Sequence, residues 1–458
     1  MHNGEDQKAS EGAFILRLPD ELLDNIICKA AYLPENSPSM RSWHYTNVEL
    51  YGTLATLCLV CQRLNRLAMP YLYADPMIYC YKPLHSQPKQ ATRLIHRSCR
   101  ENPSLWPLCR RLIIHYEDRD VVDRENRKNP YLYVAMDSVT WFTAAKSLVI
   151  MGLGRDERAW ILLRSALEHI TGLTLLSLRS HIGYNISIPQ VVEILSDFKL
   201  QDIRTLHLEG ISIGGDALSW RKLQEKAGTA RFTELELLSF LQTPDVLRDL
   251  VRWPAHLEKF ALEHTYGSCY SVLGLYTDWS LATLQPILSI HKSTLRSISI
   301  RCINVGGLDG FDLREFENLE ELSLSYQSTK HTADIHLIPN LLAPQLRVFH
   351  WDLTLEDQQC NESLGFFEQK EEDWLRTLAL TAVTRGCPMR RIEITFTPLY
   401  TYYFAGVYPW DRMDALGREL HPHGVQVYYN PPSTSREEYM EILNRTVAKQ
   451  IKDSGTDP

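Results

Sequence analysis

The chain has 458 residues, enough for two or more domains with substantial cores. It is 44% apolar and 23% charged, as an ordinary globular protein is, and its net charge of −8 argues against a general nucleic-acid binder while leaving room for a local basic patch. No apolar run approaches the roughly 18 residues that a bilayer-spanning helix needs. The opening "MHNGEDQKASEGAF" is polar and acidic, unlike a secretory signal or an Arg-rich presequence. The expected compartment is therefore cytoplasm and/or nucleus, with neither membrane nor nucleic acid as a partner. There the ten cysteines are expected to be mostly reduced thiols, and the sequons at Asn185, Asn361 and Asn444 carry no glycan meaning.

Residues 1–13 read as a disordered tail. "LRLPDELLDNIICKAAYL" reads as a helix with Pro19 at its first position and Asp20 and Glu21 in the first turn, where the dipole favours acids. Leu18, Leu22, Leu23, Ile26, Ile27 and Ala30 form its apolar stripe. "PENSPSMRSWHYTNVELYG", ending at Gly52, reads as a loop or a short helix in an insertion. A second helix is predicted from Thr53, with Leu54, Leu57, Cys58, Val60, Cys61, Leu64, Leu67 and Ala68 on one face; Pro70 then starts a new turn. Cys58 and Cys61 have the spacing of a zinc or redox pair. No second Cys pair exists to complete a metal site, and the pair lies inside a helix, so core packing is the expected role.

"LPDELLDNII" followed by "LATLCLVCQRLNRLAMPYLY" resembles an F-box. Leu18-Pro19-Asp20-Glu21-Leu22 and Ile26 match its first half. Leu57, Leu59-Val60-Cys61, Arg63, Leu64, Arg66 and Leu67-Ala68 match its second, and "PYLY" resembles the close of many fungal F-boxes. Two departures stand out: segment 33–52 is longer than usual, and Leu64 occupies a position often held by Trp. The resemblance implies a three-helix domain over 14–75 that docks on the Skp-family adaptor, and through it a cullin. A unit so small cannot bury all its own apolar surface. The implied contact set is Leu18, Pro19, Leu22, Ile26, Leu57, Val60 and Leu64; alternatively Ile26 and Val60 only fill the domain's own core.

Residues 76–105 read as a connector with a short helix around Gln90 to Glu101. Over 106–430 an apolar unit recurs at i, i+3 and i+5: Cys109-Leu112-Ile114, Ala145-Leu148-Ile150, Leu173-Leu176-Leu178, Ile203-Leu206-Leu208 and Phe232-Leu235-Leu237. It continues as Leu257-Phe260-Leu262, Leu295-Ile298-Ile300, Leu319-Leu322-Leu324, Leu346-Phe349-Trp351 and Met389-Ile392-Ile394. Chance alone yields such a match at about one site in twelve, so the weight falls on the spacing, mostly about 24 to 30 residues. Amphipathic segments lie between the units. "RDERAWILLRSALEHI" turns Ile161, Leu163, Ala166, Leu167 and Ile170 inward; "IPQVVEILSDF" offers Val191, Val192, Leu195 and Phe198; "TPDVLRDLVRW" has Thr243 as N-cap. The fold class expected is an α/β solenoid of strand–loop–helix units behind the helical domain, and the units resemble irregular leucine-rich repeats. The Asn or Cys usual after each strand is missing: Glu117, Leu153, His181, Ile211 and Phe240 stand there. A doubly wound α/β domain is the other reading, although no Gly-rich phosphate loop follows the first strand. "GVQVYYN" reads as a further strand. Residues 431–458 read as a capping helix and tail, opened by the capping box Ser435-x-x-Glu438 and striped by Tyr439, Ile442, Leu443, Val447 and Ile451.

No nucleophile elbow, zincin motif or Walker loop occurs. "GLGRDE" at Gly152 reads as a strand-to-helix turn, and "HPHG" at His421 and His423 as a surface loop. No catalytic residue, cofactor or metal is expected. Alternation places Arg111, His115, Arg179, His207, Glu209, Glu234, Glu236, Lys259, Glu263, Arg301, Glu321, His350, Asp352, Arg391 and Glu393 on the concave face of a solenoid. Of these, His207, Glu209, Glu234, Glu236, Lys259, Glu263, Arg301, Glu321 and His350 are the candidates to bind a target protein. The excess of glutamate favours a basic segment on the target; the competing reading is an ordinary solvated face. The resemblance implies a non-catalytic substrate receptor of a Skp–cullin–F-box ubiquitin ligase. The alternatives are a non-degradative Skp-bound scaffold, or an enzyme housed in the C-terminal region.

Overall fold

The computed structural model describes residues 15–31, 43–80, 88–116, 132–154, 157–180, 186–198, 202–211, 217–263, 279–301, 307–326, 329, 335–354, 367–397, 407–432 and 434–454. The readings of 1–13 as a tail and of 33–42 as a loop lie outside them, as do Glu117 and His181. The chain divides into two compact units, Met1–Thr174 and Leu175–Pro458.

The first unit opens with α1 (Asp20–Ala31), α2 (Trp43–Val60) and α3 (Gln62–Leu72). Ile27, Ala31, Leu54, Leu64 and Ala68 form their common core, with Leu57, Cys58, Cys61, Leu67, Tyr71 and Leu72 packed against it. The start of α1 is tied to α3: the Arg63 guanidinium donates to Asp20 Oδ1 at 2.6 Å and to the Leu18 carbonyl at 2.7 Å. Tyr71 donates to Asp24 at 3.0 Å.

Two expectations about these helices change. The second helix starts at Trp43, not Thr53, and runs through Gly52; a lone glycine weakens a helix by about 1 kcal/mol without ending it. It also stops earlier, at Val60. Cys61 is extended (φ −160°, ψ 164°) and begins α3, which continues through Pro70 to Leu72. The break is stabilised by Asn65, whose side chain donates to the Cys58 carbonyl left free at the end of α2, at 2.8 Å. Both helices send their apolar residues to one core, so the three-or-four spacing persists across the break and conceals it.

The stretch read as a connector holds a strand. β1 (Met77–Tyr79) pairs in parallel with β2 (Arg111–His115), and β2 with β3 (Ser147–Met151). Helix α4 (Pro88–Glu101) joins the first two strands and α5 (Leu132–Trp141) the second pair; α6 (Glu157–His169) follows. In α6, Leu163, Ala166 and Leu167 are buried as predicted, but Ile161 points out while Trp160 and Leu162 point in.

The second unit contains β4 (Leu175–Arg179), β5 (Thr205–Ile211), β6 (Glu234–Phe240), β7 (Lys259–Glu263), β8 (Ser297–Arg301), β9 (Glu321–Ser325), β10 (Val348–Leu353), β11 (Arg391–Phe396) and β12 (Gln426–Tyr429). Each pairs in parallel with the next in sequence. The connections carry α7 (Ile188–Asp197), α8 (Ala217–Gln224), α9 (Pro244–Arg252), α10 (Leu281–Leu288), α11 (Ile338–Leu341), α12 (Gln369–Thr384) and α13 (Pro409–Leu420); α14 (Arg436–Ser454) closes the chain. A doubly wound sheet would reverse its strand order at a switch point. No such reversal occurs among these strands, so that reading is set aside for the sequential, solenoid-like α/β arrangement.

The recurring apolar unit sets the register. Leu176, Leu206, Leu235, Phe260, Ile298, Leu322, Phe349 and Ile392 align strand by strand, as do Leu178, Leu208, Leu237, Leu262, Ile300, Leu324, Trp351 and Ile394. All are buried. Each such side chain contributes about 1.5–3 kcal/mol of transfer free energy. Before β5 to β10 one carbonyl accepts from two N–H groups of the next unit. Arg204 accepts from Thr233 and Glu234, Thr233 from Glu258 and Lys259, and Glu258 from Arg296 and Ser297. This backbone ladder holds the units in step without the missing Asn, and Leu153, Ile211 and Phe240 fill its position as buried apolar residues.

Candidate functional site

Two surfaces collect the predicted site residues, one in each unit. In the first unit, Leu22 is 50% exposed and Ile26, one turn on, 45%. Val60 is exposed beside Leu59, which at 87% is the most exposed of the large apolar residues described. Pro19 is exposed, and Leu18 and Leu57 are half-buried. The idea that Ile26 and Val60 fill the core is therefore corrected: Ile27 of α1 and Leu54 of α2 do so. Leu64 moves the other way. It is 6% exposed and belongs to the core, because it faces α1 and α2 from inside α3. Leu59 lies outside the expected contact set, although its place next to Val60, on the side of α2 away from Leu54 and Leu57, points to it.

Cys58 and Cys61 are free and half-buried against this core. Burial pushes the Cys58 thiol above its ordinary value. No grouping of three or more His, Cys, Asp or Glu side chains suited to a metal ion occurs among the described residues. No helix among them is long and apolar enough to cross a membrane.

The second surface is the strand face opposite the buried columns. In the first unit this face is not polar: Met77, Tyr79, Ile113 and Val149 make a buried apolar cluster there, and His115 is buried against the Tyr79 ring. Arg111, at the edge of that face, pairs with Asp75 at 2.5 Å. In the second unit the face is polar and tightly paired. Ser177 Oγ lies 3.0 Å from His207 Nδ1 and accepts from Arg179 Nε at 3.1 Å. Arg179 in turn lies 3.5 Å from Glu209. Glu234 accepts from Thr205 at 2.9 Å and pairs with Lys259 at 3.1 Å. Arg301 bridges two strands, donating to Glu263 at 2.9 Å and pairing with Asp352. His350 joins Ser323 at 2.9 Å and Thr395 at 2.7 Å.

Several of these residues are not presented to a partner. His207 is 2% exposed, and Arg179 and Asp352 are buried as well. The residues alternate along the strands as expected, but they are less exposed than a solvated face would be, because neighbouring long side chains cover the shorter ones and hydrogen bonds satisfy most of their polar atoms. Burial, helped by the Arg179 charge, pushes His207 down to about 3. Burial likewise lowers His350 and, together with neighbouring Glu234, raises Glu236. Lys259, Glu321 and Arg391 are exposed, and Arg391 lies 4.5 Å over the Tyr428 ring. Glu209, Glu234, Glu236, Glu263, Arg301, His350 and Glu393 are half-buried. No family model matches this chain, and no curated protein is significantly similar to it.

Proposed function

We propose that the chain is a substrate-recognition subunit of a Skp–cullin–F-box ubiquitin ligase, acting in cytoplasm or nucleus. The helices α1–α3 dock on the Skp-family adaptor, and the polar strand face of the second unit holds a target protein. The observation that carries the reading is the exposed apolar set Leu22, Ile26, Leu59 and Val60 on a small helical unit whose core is Ile27, Ala31, Leu54, Leu64 and Ala68. The chemistry expected of the chain is proximity alone. A target lysine held near a charged conjugating enzyme meets its thioester at high effective concentration, so no catalytic residue is required here. On the strand face, the exposed Lys259 and Glu321 and the half-buried Glu236 are offered as the side chains that meet a target, Lys259 exchanging its Glu234 partner on binding.

The test is coprecipitation of the full chain with the Skp adaptor, comparing wild type with Leu22→Asp plus Val60→Asp. Both residues are exposed, so the fold is expected to persist while binding falls at least about a hundredfold, the effect of two lost apolar anchors. Adaptor binding that survives the double change would overturn the docking assignment.

A further inference from the structure

In the second unit a cavity of about 460 Å³ opens beside the start of β5. Such a volume is typical of small-molecule sites. Leu195 and Phe198 at the end of α7 face Ile203, Leu206, Phe232 and Trp253 across it. The first two belong to the apolar stripe of "IPQVVEILSDF" yet remain only half-buried, and both line this cavity. Its far wall is fixed by backbone bonds. Gly228 N–H donates to Arg252 at 2.9 Å, Ala230 N–H to Trp253 at 3.1 Å, and Ala255 N–H to Ala230 at 3.1 Å. Gly228 adopts φ +71°, a left-handed turn, and these bonds hold residues 228–230 against the end of α9.

The rim has a definite charge. Lys226 and Arg231 line the cavity, with the Ser196 and Thr229 side chains also on its lining. Elsewhere in this unit most cations of the strand face are paired, yet neither Lys226 nor Arg231 has an ion-pair partner among the described residues. Two unpaired cations over an aromatic and aliphatic floor, in a chain of net charge −8, match one ligand chemistry. We propose that this cavity binds a small organic carboxylate with an apolar body. The body lies on Phe198, Phe232 and Trp253, and the carboxylate meets the Arg231 fork and the Lys226 ammonium.

The test is calorimetric titration of the full chain with decanoate, alongside decan-1-ol and decylammonium. Decanoate is expected to saturate one site with a Kd on the order of 10 µM, and the alcohol and the amine to bind at least about tenfold more weakly. Lys226→Glu plus Arg231→Glu is expected to weaken decanoate by about tenfold or more with little change in melting temperature, since Arg231 is exposed and the half-buried Lys226 has no ion pair to lose among the described residues. Independently, Ser196→Trp, at an exposed position on the rim, is expected to block the mouth and abolish binding. No saturable binding up to millimolar decanoate overturns the proposal. So does equal affinity for the alcohol or the amine, or undiminished binding in both variants.

Discussion

His207 shows how one side chain couples the strand face to pH. Its imidazole stays neutral in the folded chain down to about 3, because burial and the Arg179 charge oppose protonation. In the unfolded chain it takes a proton below about 6.5. Below that value the unfolded state binds more protons, so stability is full above about 6.5 and falls as pH drops toward 3. One such group withdraws about 1.4 kcal/mol per pH unit, hence about 2 kcal/mol between pH 7.5 and 5. His350 and His291 are lowered in the same direction, chiefly by burial, so the whole chain loses more than this. Denaturant unfolding at the two pH values is expected to show His207→Gln losing about 2 kcal/mol less than wild type on acidification. Equal losses would mean that His207 titrates normally in the folded chain. None of this was legible from composition. A histidine in an alternating strand reads as surface until its neighbours Ser177 and Arg179 are seen to enclose it.

At the level of the element, the most legible features were those written in short-range chemistry. Thr243 caps α9, and Ser435 and Glu438 bond reciprocally at the head of α14. What escaped is equally physical. The break at Cys61 depends on Asn65 reaching a carbonyl in the preceding helix, and the short strand β1 contains only three residues. Helix α12 offers a sharp test of local capping. Glu371 is buried, accepts from the Glu368 N–H at 3.0 Å and also from the Tyr326 hydroxyl at 3.1 Å, so it fixes the helix to the end of β9. Glu371→Ala removes both acceptors and is expected to cost about 1–3 kcal/mol in urea unfolding. Glu371→Gln keeps an acceptor oxygen at the same position and is expected to retain most of that stability. An alanine variant as stable as wild type would show that helix packing alone sets the start of α12.

For the whole second unit, the governing fact is that its strands pair only with their neighbours in sequence. The apolar unit was legible because every i+3 and i+5 position must land in one of two buried columns, a constraint that repeats along the sheet. The cavity beside β5 and the apolar second face of β1–β3 were not legible, since both depend on where connections run rather than on strand pattern. Nearest-neighbour pairing also has an energetic consequence: each unit's stability is its own plus that of two interfaces. Leu262 tests this. It sits in a column between Leu237 on β6 and Ile300 on β8, and is almost fully buried. Leu262→Ala is expected to cost about 2–5 kcal/mol through lost transfer energy and the space left behind. If the units couple only to their neighbours, hydrogen exchange will accelerate most in β6, β7 and β8 and least in β11 and β12, which share no residue contact with the site. Backbone amides of Leu235–Leu237 and Ile298–Ile300 should report the change first, because their column partners on β7 lose the packing that Leu262 supplied. Uniform acceleration from β4 to β12 would instead mean that the sheet unfolds as one cooperative block, and that the ladder of shared carbonyls transmits strain further than side-chain packing does.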